Sequence, residues 1–408
     1  MDILVLSHEY PSPQTGGALR IFNFLKYLSK KYGHDITLIS LIEKTEEPRY
    51  VYKLNEYCSL VETIDMPELG VSFFRTIGYV IKNMFSFQYI FSKDHILSAY
   101  YSPIMQRKVR EILRTKKFDI ILVSSLPMAF YVLDVKLPKV VDAMDATSEA
   151  LRQRYILERN FAMKIFWLVL YYEKIRYAKI VYKKGFNAWV AISSYDRKIL
   201  QSYLPNLDIS VIPNGIDTEY FSPRSIEEEF PSLIFVGDMR SPHNVDAVLY
   251  FSNKIYPLIK EKIPDIKLFI VGRHPPDKIY QLSSDESIVV TGYVKDIRPY
   301  LNKSSIVVVP MLSGTGIKNK ILEAMAMEKP VISTSIGARG LDVKPDENIV
   351  IADHPMEFAR RVIELLNDDK LRRKIARNGR KFVEIKYSWE KMAGKLNNIL
   401  ESATGEFK

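Results

Sequence analysis

The chain has 408 residues, 47% of them apolar, which is enough for two domains with a packed core each. Its one cysteine, Cys58, excludes an internal disulfide and fits a reducing compartment. The longest apolar-aromatic run, IFWLVLYY (165–172), is far below the roughly 20 residues a membrane-spanning helix needs. The formal charge of +10 is concentrated: segment 151–186 carries nine Lys/Arg against Glu158 and Glu173, with nine aromatics interleaved.

In chain order, MDILVLSHEY has neither a basic leader nor cleavage-type small residues, so no signal peptide is expected. ILVLS (3–7) is a continuous apolar run, as suits a strand buried on both faces. HEYPSPQTGG (8–17) is rich in turn formers. ALRIFNFLKYLSKKYG (18–33) sets Leu19, Phe22, Leu25 and Leu28 at helical spacing, and DITLISL (35–41) reads as the next strand. This βαβ unit implies a parallel sheet with a right-handed crossover.

The aromatic and basic segment 72–110 reads as helices that cover the sheet or guard a cleft. Strands follow at 119–125, 139–145 and 188–193. Segment 151–186 reads either as a long helix with a solvated basic face or as a surface for an anionic membrane or a phosphorylated acceptor. No nucleic-acid module accompanies its charge. In ISVIPNGIDTEYFSP (209–223), Pro213, Asn214 and Gly215 predict a sharp turn, and Asp217 can accept backbone hydrogen bonds just after it.

A second α/β series follows. Its strands are expected at 232–238, 266–272, 287–293, 304–310, 330–335 and 348–353, and its helices at about 244–260, 276–283, 296–303, 317–328 and 356–367. The tail 370–402 is helical in pattern, with a break at YSWE.

Within that series, GTGIKNKILEAMAMEKPVISTSIGARGL (314–341) carries the most chemistry. A glycine-rich turn entering a helix presents free N–H groups and a positive dipole end to an anion. Lys318 and Lys320 add charge for phosphate, and Glu323, one turn on, can hold sugar hydroxyls. These are the parts of a nucleotide-sugar site.

This stretch resembles the donor site of retaining glycosyltransferases of family 4, which have the two-domain GT-B fold. It is most similar to a subgroup whose motif reads GGGTRLKILEAMAMGKPVVST. The family signature is a pair of glutamates separated by seven residues; here Glu323 is the second, and Thr315 stands at the position of the first. The PNGID and YFSP runs resemble the family's interdomain segment, TGYVKD (291–296) its base-binding turn, and VVDAMDATS (140–148) the subgroup's VDxxDxxS run.

The resemblance implies an α/β GT-B protein with two Rossmann-like, doubly wound domains facing a central cleft. The first domain is expected over 1–208, completed by the C-terminal helix at about 388–408, and the donor-binding domain over 209–387. On the donor side it implies a diphosphate site using Gly237, Arg240 and Arg273, and the motif residues Gly314, Thr315, Gly316, Ile317, Lys318 and Lys320. Lys318 is preferred because it lies nearer the helix start. Tyr293 and the backbone of Val294 are expected at the base and Glu323 at the ribose. From the first domain, Gly16 and Gly17 let backbone approach a phosphate, with Arg20 one turn into the helix.

Asp142 and Asp145 sit where many members have a histidine, and either could deprotonate an acceptor hydroxyl if burial raises its pKa. Alternatively, Asp142, Asp145 and Ser148 cap the following helix. His8 and Glu9 are acceptor-side candidates.

The function implied is transfer of a sugar from a UDP- or GDP-sugar to a hydroxyl of a glycan or lipid-linked acceptor. It would take place in the cytoplasm or on the inner face of the membrane, without metal or other cofactor. A nucleotide-sugar 2-epimerase on the same fold, or a non-catalytic nucleotide-sugar-binding subunit, are the alternatives. A dehydrogenase is disfavoured, because no G-x-G-x-x-G follows the first strand.

Overall fold

A computed structural model of the chain describes residues 1–13, 16–42, 51–66, 100–144, 146–224 and 226–405. The chain forms two units, Met1–Pro213 with Met392–Lys408, and Asn214–Lys391. Each is built on its own parallel sheet with helices between the strands, so the expected pair of doubly wound α/β halves is what the chain forms.

In the first unit the strands are Asp2–Ser7 (β1), Asp35–Ile42 (β2), Leu60–Asp65 (β3), Ile120–Ser124 (β4), Lys139–Met144 (β5), Ala188–Ala191 (β6) and Ile209–Val211 (β7). They lie in the order β3-β2-β1-β4-β5-β6-β7, with all neighbours parallel. The order reverses between β1 and β4, which opens a crevice at their carboxyl ends. Helix α1 (Gly16–Lys30) makes the first crossover and turns Ile21, Phe24, Leu25 and Leu28 into the core.

Two strands lack the apolar run that the sequence analysis relied on. Edge strand β3, LVETID, has its first four residues at least partly exposed, and β7 has three residues. The first sheet thus takes in residues 209–211, and the first unit runs on through Pro213.

Residues 72–99 of the aromatic-basic segment lie outside the described residues. Beyond them runs helix α2 (Pro103–Thr115). Ser102 caps it, its hydroxyl accepting the Met105 N–H at 3.3 Å, and Pro103 occupies the first turn. Segment 151–186 holds two helices, α3 (Thr147–Leu157) and α4 (Phe161–Lys183).

In the second unit the strands are Ser232–Val236 (β8), Lys267–Val271 (β9), Ile288–Gly292 (β10), Ile306–Val309 (β11), Val331–Ser333 (β12) and Val350–Ile351 (β13). Their order is β10-β9-β8-β11-β12-β13, again all parallel, with the reversal between β8 and β11. Helix α5 (Asn319–Ala326) follows β11 through the glycine-rich loop.

The PNGID run turns as its composition predicts. Asp217 Oδ1 accepts the N–H groups of Glu219 and Tyr220 at 3.1 and 2.9 Å. The backbone of Trp389 passes so close to Gly215 that a Cβ there would lie 2.7 Å from Trp389 N. Ile216 N–H donates to Tyr387 O at 2.6 Å, so the YSWE break lies against this turn.

The tail forms a helix at Asp369–Lys386 and a final helix α6 (Trp389–Thr404). Met392, Ala393, Leu396 and Leu400 of α6 are buried, and Asn397 Oδ1 lies 2.6 Å from His34 Nε2. Residues from Met392 onward belong to the first unit.

Candidate active site

The carboxyl edge of the first sheet gathers the ends of β1, β4 and β5. His8 follows β1; its Nε2 lies 3.4 Å from Glu9 Oε1, and its ring meets Tyr100 edge-on at 5.8 Å. Gly16 has φ of +57°, a conformation glycine adopts without strain. Gly17 is needed for space, since a Cβ would stand 2.9 Å from Glu9 Oε2 and 3.2 Å from Met144 Cε.

Arg20 and Asp142 sit differently from the sequence expectation. Arg20 is not an open cation aimed at a donor: its side chain is 1% exposed and clamps Asp142, with Nε to Oδ2 at 2.6 Å and Nη2 to Oδ1 at 3.1 Å. Its Nη1 donates to Pro213 O at 3.1 Å, and its guanidinium lies 4.7 Å from the Phe24 ring centroid. Asp142 also accepts the Met144 N–H at 3.3 Å, so neither oxygen is left open for an acceptor hydroxyl. The reason is topological: α1 follows β1, and β5 lies two strands away, so Arg20, one turn into the helix, reaches Asp142 in the carboxyl half of β5.

Asp142 does not cap the following helix either. The residue at the cap of α3 is Ala146, without a side-chain bond, and Ser148 Oγ instead lies 3.3 Å from Tyr203 Oη. Asp145 lies outside the described residues.

Three polar groups at this edge were not singled out by sequence. Glu149 is buried, and its carboxylate accepts from Arg152 Nε at 2.6 Å, Gln153 at 3.1 Å and Tyr195 Oη at 3.2 Å. Burial pushes this carboxyl upward, but those donors hold it below its ordinary value. Ser124 ends β4, at the strand-order reversal, and Ser125 follows it. Ser125 has φ of 76°, a costly conformation for a side-chain-bearing residue, and its N–H donates to Asp142 O at 2.8 Å. Among the described residues, the buried hydroxyls of Ser124 and Ser125 and His8 Nδ1 have no hydrogen-bond partner. The legible signal was a polar doublet closing an apolar run.

In the second unit the site forms where β8 and β9 end beneath α5. Gly237 and Gly272 touch: a Cβ on Gly272, whose φ is +155°, would fall 1.7 Å from Gly237 O. On its other side Gly237 leaves room for Asn244 and Lys320; a Cβ there would lie 2.9 Å from Asn244 Nδ2 and 3.0 Å from Lys320 Nζ. Lys320 Nζ donates to Asn244 Oδ1 at 2.9 Å and sits 3.9 Å from the centroid of the Phe235 ring. Asn244 Nδ2 in turn donates to Asp238 O at 2.8 Å.

One turn further along α5 is Glu323. Lys320 and Glu323 keep some surface, yet dense protein surrounds both. Burial, with Lys318 adding to it, pushes the Lys320 ammonium down to about 7. Burial pushes the Glu323 carboxyl up to about 7 against the pull of Lys320.

The two lysines of the motif have separate tasks. Lys318 turns back into its own loop, donating to Thr315 O at 2.7 Å and Gly316 O at 3.4 Å. Gly314, at φ +123°, lets it fold in, because a Cβ there would lie 3.2 Å from Lys318 Nζ. Gly316 has φ of +66°, Ile317 is buried, and His243 Nδ1 lies 2.6 Å from Ser313 Oγ beside the loop. Asn319, first in α5, accepts from Asn214 Nδ2 at 2.9 Å. It is Lys320, rather than the preferred Lys318, that reaches the end of β8.

Arg240 pairs with Asp238, Nη2 to Oδ2 at 2.8 Å, and His274 Nδ1 lies 3.4 Å from Asp238 Oδ1. Burial would raise the Asp238 carboxyl, but Arg240 holds it below the usual range. Arg273 lies 4.9 Å over the ring of Tyr293, which is 63% exposed after β10 and precedes the partly buried Val294. Asp238, His243, Asn244 and Ser313 join this site without having been read from sequence. Among the described residues, no three His, Cys, Asp or Glu side chains gather closely enough to hold a metal ion.

Two parallel sheets of seven and six strands, each with a reversal point, are the architecture of the GT-B glycosyltransferases. The family profile described as "Glycosyltransferase Family 4" matches residues 15–220, and "Glycosyl transferases group 1" matches residues 230–368. The chain belongs to glycosyltransferase family 4.

A 44.6 kDa protein in the cps region of Klebsiella pneumoniae is 25% identical over 96% of this chain and 97% of its own length. The capsular polysaccharide biosynthesis glycosyltransferase CapM of Staphylococcus aureus is 27% identical over 53% of this chain and 63% of its own. Among solved structures, sucrose-phosphate synthase from Thermosynechococcus elongatus aligns over 100% of both chains with a TM-score of 0.72 and 13% identity. Anabaena HepE in complex with UDP covers 98% of this chain and 100% of its own, with a TM-score of 0.68 and 15% identity.

Proposed function

We propose that this chain is a retaining, metal-independent glycosyltransferase. It would move a hexose from a UDP- or GDP-sugar to a hydroxyl of a glycan or lipid-linked acceptor in polysaccharide synthesis. The observation that carries this reading is the Lys320–Glu323 pair on the first turns of α5, set against the close-packed glycines Gly237 and Gly272.

The chemistry follows from charge. Breaking the anomeric C–O bond builds negative charge on the departing diphosphate and positive charge on the sugar ring. Gly237 and Gly272 have no side chains to bar phosphate oxygens from the end of β8. Lys320 supplies a cation there, held over Phe235 and steered by Asn244. Lys318 braces the loop ahead of α5 rather than meeting the phosphate. Glu323 accepts the ribose hydroxyls, and Tyr293, backed by Arg273, offers a face to the base. On the acceptor side, among the described residues, His8 Nδ1 and Ser125 Oγ are without a partner, with Glu9 paired to His8 beside them, whereas Asp142 is occupied by Arg20.

A capsule-synthesis enzyme among the relatives and a UDP complex among the structural neighbours favour the same substrate classes. The test is thermal stabilisation by UDP, GDP, ADP and CMP, for wild type and Glu323→Ala, since a ligand that binds the native state raises the melting temperature. A shift with UDP or GDP that the variant loses supports the assignment. No shift with any nucleotide overturns it. Stabilisation by UDP without sugar transfer to any glycan or lipid-linked acceptor points to the epimerase or the non-catalytic subunit.

A further inference from the structure

The basic, aromatic stretch of the first unit folds into a helical hairpin. Helix α3 leaves the carboxyl end of β5, and α4 returns to the amino end of β6. With 23 residues, α4 is about 35 Å long at 1.5 Å per residue. The strands it joins have six and four residues and span only about 13–20 Å. The final turns of α4 account for the sheet contact, through Tyr177, Ala178 and Val181. From 161 to 176 no residue of α4 is fully buried, although Ile165, Phe166, Trp167, Leu168, Val169 and Leu170 run all round the cylinder. The hairpin therefore stands out past the carboxyl edge of the first sheet, the edge that carries His8 and Ser125.

Its tip is apolar and exposed: Ile156 is 53%, Leu157 70% and Phe161 77% accessible. Cations surround it. Arg154 lies 4.9 Å over the Trp167 ring and Lys164 5.3 Å over the Tyr155 ring, with Arg159 between the helices. The one acid at the turn, Glu158, is engaged by the N–H groups of Arg159 and Asn160, both at 2.9 Å, and by Trp167 Nε1 at 3.4 Å. Among the described residues no helix is long and apolar enough to cross a membrane. Three large apolar side chains ringed by cations match the boundary layer of an anionic bilayer, where acyl chains lie just beneath phosphates.

We propose that the α3–α4 tip docks on an anionic membrane, with Ile156, Leu157 and Phe161 entering the headgroup layer and Arg154, Arg159 and Lys164 meeting lipid phosphates. This brings the carboxyl edge of the first sheet toward the lipid surface. It rests on the first unit and does not depend on which sugar or nucleotide the second unit takes.

The test is flotation of the full chain with vesicles of phosphatidylcholine, pure or with about one-third phosphatidylglycerol, at about 0.1 M salt. The comparison is with the double variant Leu157→Ser/Phe161→Ser, which leaves the net charge unchanged. Both sites are exposed, so its melting temperature should equal that of wild type, and a matching melt certifies that it is folded. Wild type is expected to float with the anionic vesicles and not with the neutral ones, and the double variant to lose at least about tenfold in partitioning. Absence of flotation with anionic vesicles overturns the proposal. Equal flotation of wild type and variant also overturns it, since that marks diffuse adsorption of a +10 chain.

Discussion

Arg20 and Asp142, 122 residues apart in the chain, form a buried two-pronged ion pair, with Nε to Oδ2 at 2.6 Å and Nη2 to Oδ1 at 3.1 Å. The pair ties α1, one turn in, to the carboxyl half of β5 and uses the aspartate that sequence had offered as a base.

Removing one partner strands a buried charge. Asp142→Asn or Arg20→Met should each cost about 3–5 kcal/mol, whereas Arg20→Met with Asp142→Leu should recover much of that loss. Denaturant unfolding of the four proteins is the check. An Asp142→Asn protein that keeps wild-type stability yet loses turnover would return Asp142 to catalysis.

The Lys320 ammonium titrates near 7, well below an ordinary lysine. A bound diphosphate favours the charged form, so binding at pH 8 must draw a proton onto a largely neutral amine. Nucleotide affinity should therefore fall as pH rises above about 7. Calorimetry with UDP or GDP in buffers of different ionisation enthalpy should show net uptake of a fraction of a proton up to one. Lys320→Met should abolish it. Zero uptake in wild type at pH 8 would remove Lys320 from the phosphate site.

The two touching glycines should fail in different ways. A Cβ on Gly272 meets the Gly237 carbonyl at 1.7 Å, a backbone clash that no rotamer relieves. Gly272→Ala should cost at least about 2 kcal/mol or prevent folding. A Cβ on Gly237 meets the ends of two movable side chains, Asn244 and Lys320. Gly237→Ala should keep its melting temperature within a few degrees of wild type while nucleotide binding weakens. Equal loss of stability in both variants would argue against this division.

Truncation after Lys391 removes Met392, Ala393, Leu396 and Leu400 from the first unit, and with them the Asn397 contact to His34. At about 1.5–3 kcal/mol per large apolar side chain, this loss is comparable to the whole stability of a domain. The truncated chain should lose the first unit's unfolding transition in calorimetry and keep that of the second. Two intact transitions would show that α6 is dispensable.

Much of the fold was legible because strands buried on both faces of a parallel sheet are continuous apolar runs. ILVLS, LIFVG and IVVVP announce themselves. β3 was silent for the same reason: at the sheet's edge, LVETID needs only one residue in the core. In the candidate site, the glycine loop and Glu323 stood out as local pattern. What local pattern cannot carry is direction. Lys318 and Lys320 are two residues apart at a helix start, and only the packed fold shows one curling onto Thr315 O and the other reaching Gly237. The Arg20–Asp142 contact was equally hidden, since it depends on strand order rather than on any motif.

The pairing of His34 with Asn397 also has a bearing on biosynthesis. The first unit's sheet ends at Val211, yet its packing is completed by residues from Met392 onward. A ribosome adding about 5–20 residues per second makes the entire second unit in between, a delay on the order of ten seconds or more. During that interval the nascent amino-terminal half holds all seven of its strands but has the surface around Tyr32 and His34 uncovered. The part of the enzyme translated first is thus the part finished last. Slow-translation stretches or chaperone contacts would act on this chain most strongly between the emergence of residue 213 and that of residue 392.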